Sequence, residues 1–424
     1  MTTEPNGQTI GEDLGEDELP PAILPLREEG GNAIRLLTLR EPSSPNSDTL
    51  SLEMHLSTTS EEYIGLSYEW GQAEPDDPII LVNSRQVQVR KNLHEALRQI
   101  LEHYSNHRKQ RHGPVVDACK CRDRPEKDCY EKASGPWTNL GDSSFWAKHD
   151  PPRLWIDAFY INQNDHKEKS SQVGRMNTIF SSAKLVLSWI GLPRDGSNDA
   201  LRILSMPSEQ LSRLAATGGL TDSLVVSIVS LCERTYWRRI WILQELFLAQ
   251  KYVVMCGPES IVSDSFDGAL GLLLNRLSSR PTSENHDRIS RSAANQIVVS
   301  KRMAKFCTLS RWLSVSLDAN FQATVPHDYI YALLSISTDN RVPMSKAVID
   351  RTQIIVDYDI TIAEVYCQLL SSFQTAPPLD GQTSPSLLKL ALKMGLSHQE
   401  GVALLYSEHL RRWNACWTSS VWGV

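Results

Sequence analysis

The chain has 424 residues, 41% apolar and 22% charged, with a formal net charge of −7, which suits a soluble globular protein longer than one core usually supports. That balance excludes general disorder and offers no basic surplus for nucleic acid or an anionic membrane surface. No apolar run approaches the ~18 residues of a membrane span, and eight scattered cysteines read as reduced thiols of a cytoplasmic protein, not as a disulfide framework.

Residues 1–30 carry Glu4, Glu12, Asp13, Glu16, Asp17 and Glu18 ahead of the first basic residue, Arg27, and read as a flexible acidic lead-in, not a secretory signal or transit peptide. The first packed strand expected is YIGLSY, Tyr63–Tyr68, followed by Glu69, Trp70, Gly71 and the loop-forming QAEPDDP. A hairpin, IILVNSRQVQV, turns at Asn83-Ser84. Leu93, Ala96, Leu97, Ile100, Leu101 and Tyr104 then recur at helical spacing. Residues 105–150 lose that period and read as an inserted surface loop.

Packed structure returns with RLWIDAFYI, Arg153–Ile161, read as a short strand. A helix follows with Val173, Met176, Ile179, Phe180 and Ala183 on one face, then the strand LVLSWIG, Leu185–Gly191. A polar, Gly/Ser-rich stretch around 194–223 leads to a helix at about 233–250 containing YWRRIWILQEL, and Tyr252–Cys256 reads as another strand. Strands alternating with helices predict an α/β unit with a mainly parallel sheet flanked by helices. Ligands of such sheets sit beyond the carboxyl ends of the strands, here Ser67–Gly71 and Asp157–Asp165. From about 260 the chain reads as mostly helical, with Tyr329–Ile336 and Ile360–Leu370 the clearest segments. Residues 374–387 read as a linker before a tail that is hard to place. The expected domains are therefore 61–257 and 258–373, between the 1–30 lead-in and a 374–424 linker and tail.

No P-loop, GxGxxG, HExxH or GxSxG occurs, which disfavours nucleoside triphosphatases, classical dehydrogenases, zincins and α/β-hydrolases. Cys119, Cys121 and Cys129, with His103, His107 and His112 upstream, are spaced unlike a zinc site and read as surface thiols, so no metal is expected. Trp241 and Glu245 fall one helical turn apart in an apolar run. Glu245 is either paired for structural reasons with Arg234, Arg238 or Arg239, or set to work on a substrate. Asp157 either fixes the next loop by accepting N–H bonds or contacts a ligand. Trp70-Gly71 serves as a turn or as an aromatic wall with close backbone approach.

Three blocks together resemble the fungal heterokaryon-incompatibility (HET) domain: YIGLSYEWG (63–71), LWIDAFYINQNDHKEKSSQVGRMNTIFSSAKLVLSWIG (154–191) and ERTYWRRIWILQELFLA (233–249). The middle block keeps Asp157, Ile161, Asn162, Gln163, Asp165, Glu168, Gln172, Met176 and Ala183 at the family's spacing, and departs from it at Tyr160, where the family usually shows cysteine. HDYIYALLSI (327–336) and VDYDITIAEVYCQLL (356–370) resemble segments that commonly follow this domain. HET domains are in turn similar to the TIR (flavodoxin-like) fold, and WILQEL keeps the Trp-x-x-x-Glu-Leu spacing of the TIR helix that carries the catalytic glutamate.

The resemblance implies a cytoplasmic effector of non-self recognition and programmed cell death that self-associates, with another protein as trigger. It implies NAD as substrate, no tightly bound cofactor, and Glu245 as the catalytic carboxylate. Ser67, Trp70, Gly71, Asp157, Asn162 and Gln163 are the expected pocket walls, and Trp241 is expected to pack and position the helix. The alternative is a non-enzymatic scaffold acting through its surfaces.

Overall fold

The computed structural model describes residues 33–40, 49–112, 151–160, 166–278, 284–303, 307–338, 354–373 and 383–421. Asn162, Gln163, Cys119, Cys121 and Cys129 lie outside them, as does most of the expected 105–150 loop.

Nine strands form one mixed sheet: β1 (Ala33–Arg40), β2 (Ser51–Thr58), β3 (Ile64–Tyr68), β4 (Ile79–Val82), β5 (Arg85–Gln88), β6 (Arg153–Ile156), β7 (Leu185–Trp189), β8 (Tyr252–Cys256) and β9 (Glu259–Val262). Their order is β5-β4-β2-β1-β6-β3-β7-β8-β9. Only the centre, β6-β3-β7-β8, is a continuous parallel block, and β1 and β9 flank it antiparallel. The expectation of a mainly parallel sheet is thus corrected to a mixed one. β1 and β2, which pair over their whole length, precede the first strand expected from sequence.

β3, β7 and β8 are buried at every position, as strands covered on both faces must be. Against one face lies α1 (Lys91–His112), which buries Leu93, Ala96, Leu97 and Ile100. Each of the leucine and isoleucine side chains contributes roughly 1.5–3 kcal/mol. The hairpin turn before α1 has Asn83 and Ser84 at φ 51° and 67°, the left-handed pair that a two-residue loop demands.

RLWIDAFYI does not continue as a strand: α2 (Asp157–Tyr160) begins directly after β6. The opposite face of the sheet receives α3 (His166–Ser182), with Val173, Met176, Ile179 and Phe180 inward as their spacing predicts. Gly65 of β3 allows this close packing, because a Cβ there would stand 3.3 Å from the Phe180 ring.

The stretch after β7 holds three helices that sequence reading missed, α4 (Ser197–Leu204), α5 (Ser208–Ala216) and α6 (Asp222–Cys232). α7 (Ile242–Leu248) then leads into β8. The remainder is helical: α8 (Ser263–Leu277), α9 (Glu284–Arg291), α10 (Ala293–Arg302), α11 (Leu309–Asp318), α12 (Asp328–Leu334), α13 (Ile362–Ser372), α14 (Thr383–Lys393) and α15 (His398–Val421). Residues expected as linker and tail therefore include α14 and α15, and Leu387, Leu390, Ala391 and Met394 join the main core. Among the described residues no helix is long and apolar enough to cross a membrane.

Gly257, in the β8–β9 turn, has φ +54°, donates its N–H to the Gly191 carbonyl at 3.1 Å, and would place a Cβ 2.5 Å from Pro193 Cδ. Gly257→Ala is expected to lower stability by about 1–3 kcal/mol, read as an earlier denaturant midpoint.

Candidate active site at the carboxyl ends of the central strands

YWRRIWILQEL is not one helix. Thr235–Arg238 is a 3₁₀ turn, and Arg239 is extended at φ −64° and ψ 128° before α7 starts. A distant segment causes the break. The Ile240 N–H donates to the Gln322 carbonyl at 2.9 Å, and the Gln322 N–H donates back to the Arg238 carbonyl. These bonds take backbone groups that a continuous helix would have used internally.

Beyond the break, the Glu245 N–H reaches the Trp241 carbonyl at 3.0 Å, so the two residues stand one turn apart. Their side chains diverge. The Trp241 indole donates to Asp328 at 3.0 Å, and Glu245 turns toward the sheet.

Glu245 is 1% exposed, and its Oε2 accepts a hydrogen bond from Ser67 Oγ at the carboxyl end of β3. That bond spends the only proton of Ser67, so Tyr236 OH, 2.7 Å from Ser67 Oγ, is the donor to it. Burial, and then the charge of Glu245, push the Tyr236 phenol well above its ordinary range, which keeps that donor protonated. Ser67 and Ser188 are register partners on β3 and β7. β3 connects outward to β6, whereas β7 and β8 follow on the other side of β3. The β3–β7 gap is therefore where the connections reverse, the position at which open α/β sheets bind ligands.

Of the three arginines considered for Glu245, Arg234 is committed elsewhere, donating to the carbonyls of Ile190 at 2.8 Å, Leu192 at 3.1 Å and Arg194 at 3.4 Å. Arg238 is exposed. Arg239 is the one that meets Glu245, through a single 3.5 Å contact from Nη2 to Oε1, and its buried Nη1 has no hydrogen-bond partner. A one-sided contact at that length is far from the bidentate geometry of a strong arginine–carboxylate pair.

Asp157 stands at the first position of α2, half-buried, where it accepts from the Ala158 N–H at 2.8 Å and from the Trp70 indole at 2.8 Å. Burial raises its pKa to about 6, with the charge of Glu245 adding to the shift and Arg239 opposing it. A carboxyl that holds its proton more tightly when folded loses stability as pH rises from the ordinary carboxylate range to that value. Asp157→Asn, which keeps an acceptor for the indole, is therefore expected to gain stability relative to wild type between about pH 4 and pH 6 and to hold a constant margin above it, measured by urea unfolding.

The structure thus brings Ser67 onto Glu245 and Trp70 onto Asp157, with Arg239 acting on both carboxylates. Gly71, at φ +75°, is exposed, with open space where a Cβ would stand. Tyr236 was not singled out from sequence, although it lies in the same string as Glu245. Two clefts, of about 470 Å³ beside Arg238, Arg288 and Asn320 and about 540 Å³ beside Gly268 and Arg302, are not lined by Glu245, Ser67 or Asp157.

The family model described as "Heterokaryon incompatibility protein (HET)" matches residues 144–245, ending at Glu245. Heterokaryon incompatibility protein 6, OR allele, of Neurospora crassa is 29% identical over 153 residues, covering 28% of this chain. The match spans 22% of that relative's own length. No solved structure matches the chain at a significant level. Residues 144–245, which hold Asp157, Arg239 and Glu245, thus match the HET domain, and the chain is distantly homologous to the Neurospora protein.

Proposed function

We propose that the chain acts in heterokaryon incompatibility, promoting programmed cell death on non-self recognition, and does so by hydrolysing NAD in a TIR-like domain with Glu245 as the catalytic carboxylate. The role is supported by the HET match and by the name of the Neurospora relative. The TIR-like reading is supported by the central strands, which run second-first-third-fourth in chain order, as in flavodoxin-like sheets. One observation carries the chemistry: a buried carboxylate seated on Ser67 at the reversal point between β3 and β7, with its arginine contact long and one-sided.

In the reaction the bond between the ribose C1′ and the nicotinamide nitrogen breaks, and its electron pair leaves with nicotinamide, neutralising the pyridinium. Glu245 stabilises the positive charge that develops on the ribose ring. Water adds to C1′ and loses a proton, leaving ADP-ribose. Ser67 and Tyr236 aim the carboxylate. Trp70, Gly71 and Asp157 form the wall. Because Glu245 is closed from solvent, the rim has to open for substrate. Self-association in the cytoplasm, triggered by a protein partner, supplies that opening, and no tightly bound cofactor takes part.

The Arg239 contact and the burial of Glu245 favour a second reading, a TIR-like scaffold whose Glu245 is structural. Cells expressing the full chain separate the two. Wild type should deplete NAD and kill, and Glu245→Gln should do neither. Equal killing by both with NAD intact would leave only the scaffold.

A further inference from the structure

We infer that the helical region after the sheet positions Glu245, with Asp328 as the principal positioning residue acting through Trp241. The inference rests on the reading of Glu245 as the reactive carboxylate. α7 is only seven residues long, too short to hold its own place without tertiary support. That support comes from residues 312–335. The Trp241 indole donates to Asp328 Oδ2 at 3.0 Å, and the Gln244 amide donates to Ser335 Oγ. The Phe247 ring packs edge-on against Trp312 at 5.0 Å, and the Gln322 carbonyl takes the Ile240 N–H at 2.9 Å.

None of these contacts touches the carboxylate itself, and together they grip the segment before, beside and after it. Asp328 is in turn held: Tyr358 OH donates to its Oδ1 at 2.6 Å, and Lys169 Nζ lies 4.3 Å over the Tyr358 ring. Lys169 belongs to α3, which packs on the sheet, so the clamp closes back onto the domain that holds Ser67. A displacement near 1 Å at a reacting group can cost about 10²-fold in rate.

The test uses the full chain as wild type, Trp241→Phe, Asp328→Leu and the double variant, with amide hydrogen exchange and NAD turnover as readouts. Trp241→Phe removes the indole donor and leaves Asp328 in place, and Asp328→Leu removes the acceptor and leaves the indole, so either variant that folds tests the contact. Each single change should speed exchange of the Leu243–Leu248 amides about tenfold, with β8 unchanged and the double variant no faster than the faster single. kcat should fall about tenfold with KM within about twofold. Unchanged exchange across α7 in both singles overturns the inference, as does a loosened α7 with kcat intact. A loosened α7 in a chain whose wild type releases no nicotinamide supports the clamp and instead refutes NAD cleavage.

Discussion

Glu245→Gln is expected to lower nicotinamide release by roughly 10²–10³-fold, the loss that follows removal of one group aimed at developing charge. The amide keeps the shape and can still accept from Ser67, so the fold stands and substrate binding changes little. What disappears is the negative charge that faces the ribose only in the transition state, and the deficit therefore falls on kcat. Ser67→Ala should cost less, because Glu245 loses its aim but keeps its charge. Steady-state kinetics on both, with circular dichroism to verify folding, gives the comparison.

Trp237→Ala is expected to cost about 3–5 kcal/mol of stability, read from urea unfolding. The indole is 1% exposed, stacks on Phe266 at 5.6 Å with an interplanar angle of 10°, and meets Tyr236 edge-on at 5.1 Å. Its Nε1–H donates to the Leu231 carbonyl at 2.9 Å, so truncation opens a cavity and also leaves a buried acceptor unmet. Because Trp237 packs on Tyr236 in the same 3₁₀ turn, the same change loosens the seat of the donor that orients Ser67. Folded Trp237→Ala protein should thus show reduced turnover as well as an earlier midpoint.

The elements legible in the sequence are those whose own period decides them. α1 and α3 announce themselves by helical spacing, β7 and β8 by short apolar runs, and the 79–88 hairpin by its Asn-Ser turn. Where the deciding partner is distant, sequence reading fails. The break at Arg239 depends on Gln322, and the antiparallel placement of β1 beside β6 depends on a strand far along the chain. α4–α6 were hidden by Gly, Ser and Pro between them, although Leu201, Leu204, Leu211, Val225 and Val229 are all buried. At the site, the strand end at Ser67 and the spacing of Trp241 and Glu245 were visible, but which arginine approached the carboxylate was not. Three were within reach in sequence, and only the extended conformation of Arg239 selects it. Asp157 looked like a strand residue because helix α2 follows β6 without a polar break.

The central claim, that Glu245 works on NAD, is tested most directly by incubating concentrated full-length wild-type protein with NAD and following free nicotinamide. The account predicts equal molar release of nicotinamide and ADP-ribose, rising more steeply than protein concentration if self-association opens the site. Absence of nicotinamide at every concentration, from protein that is folded and self-associated, would contradict it.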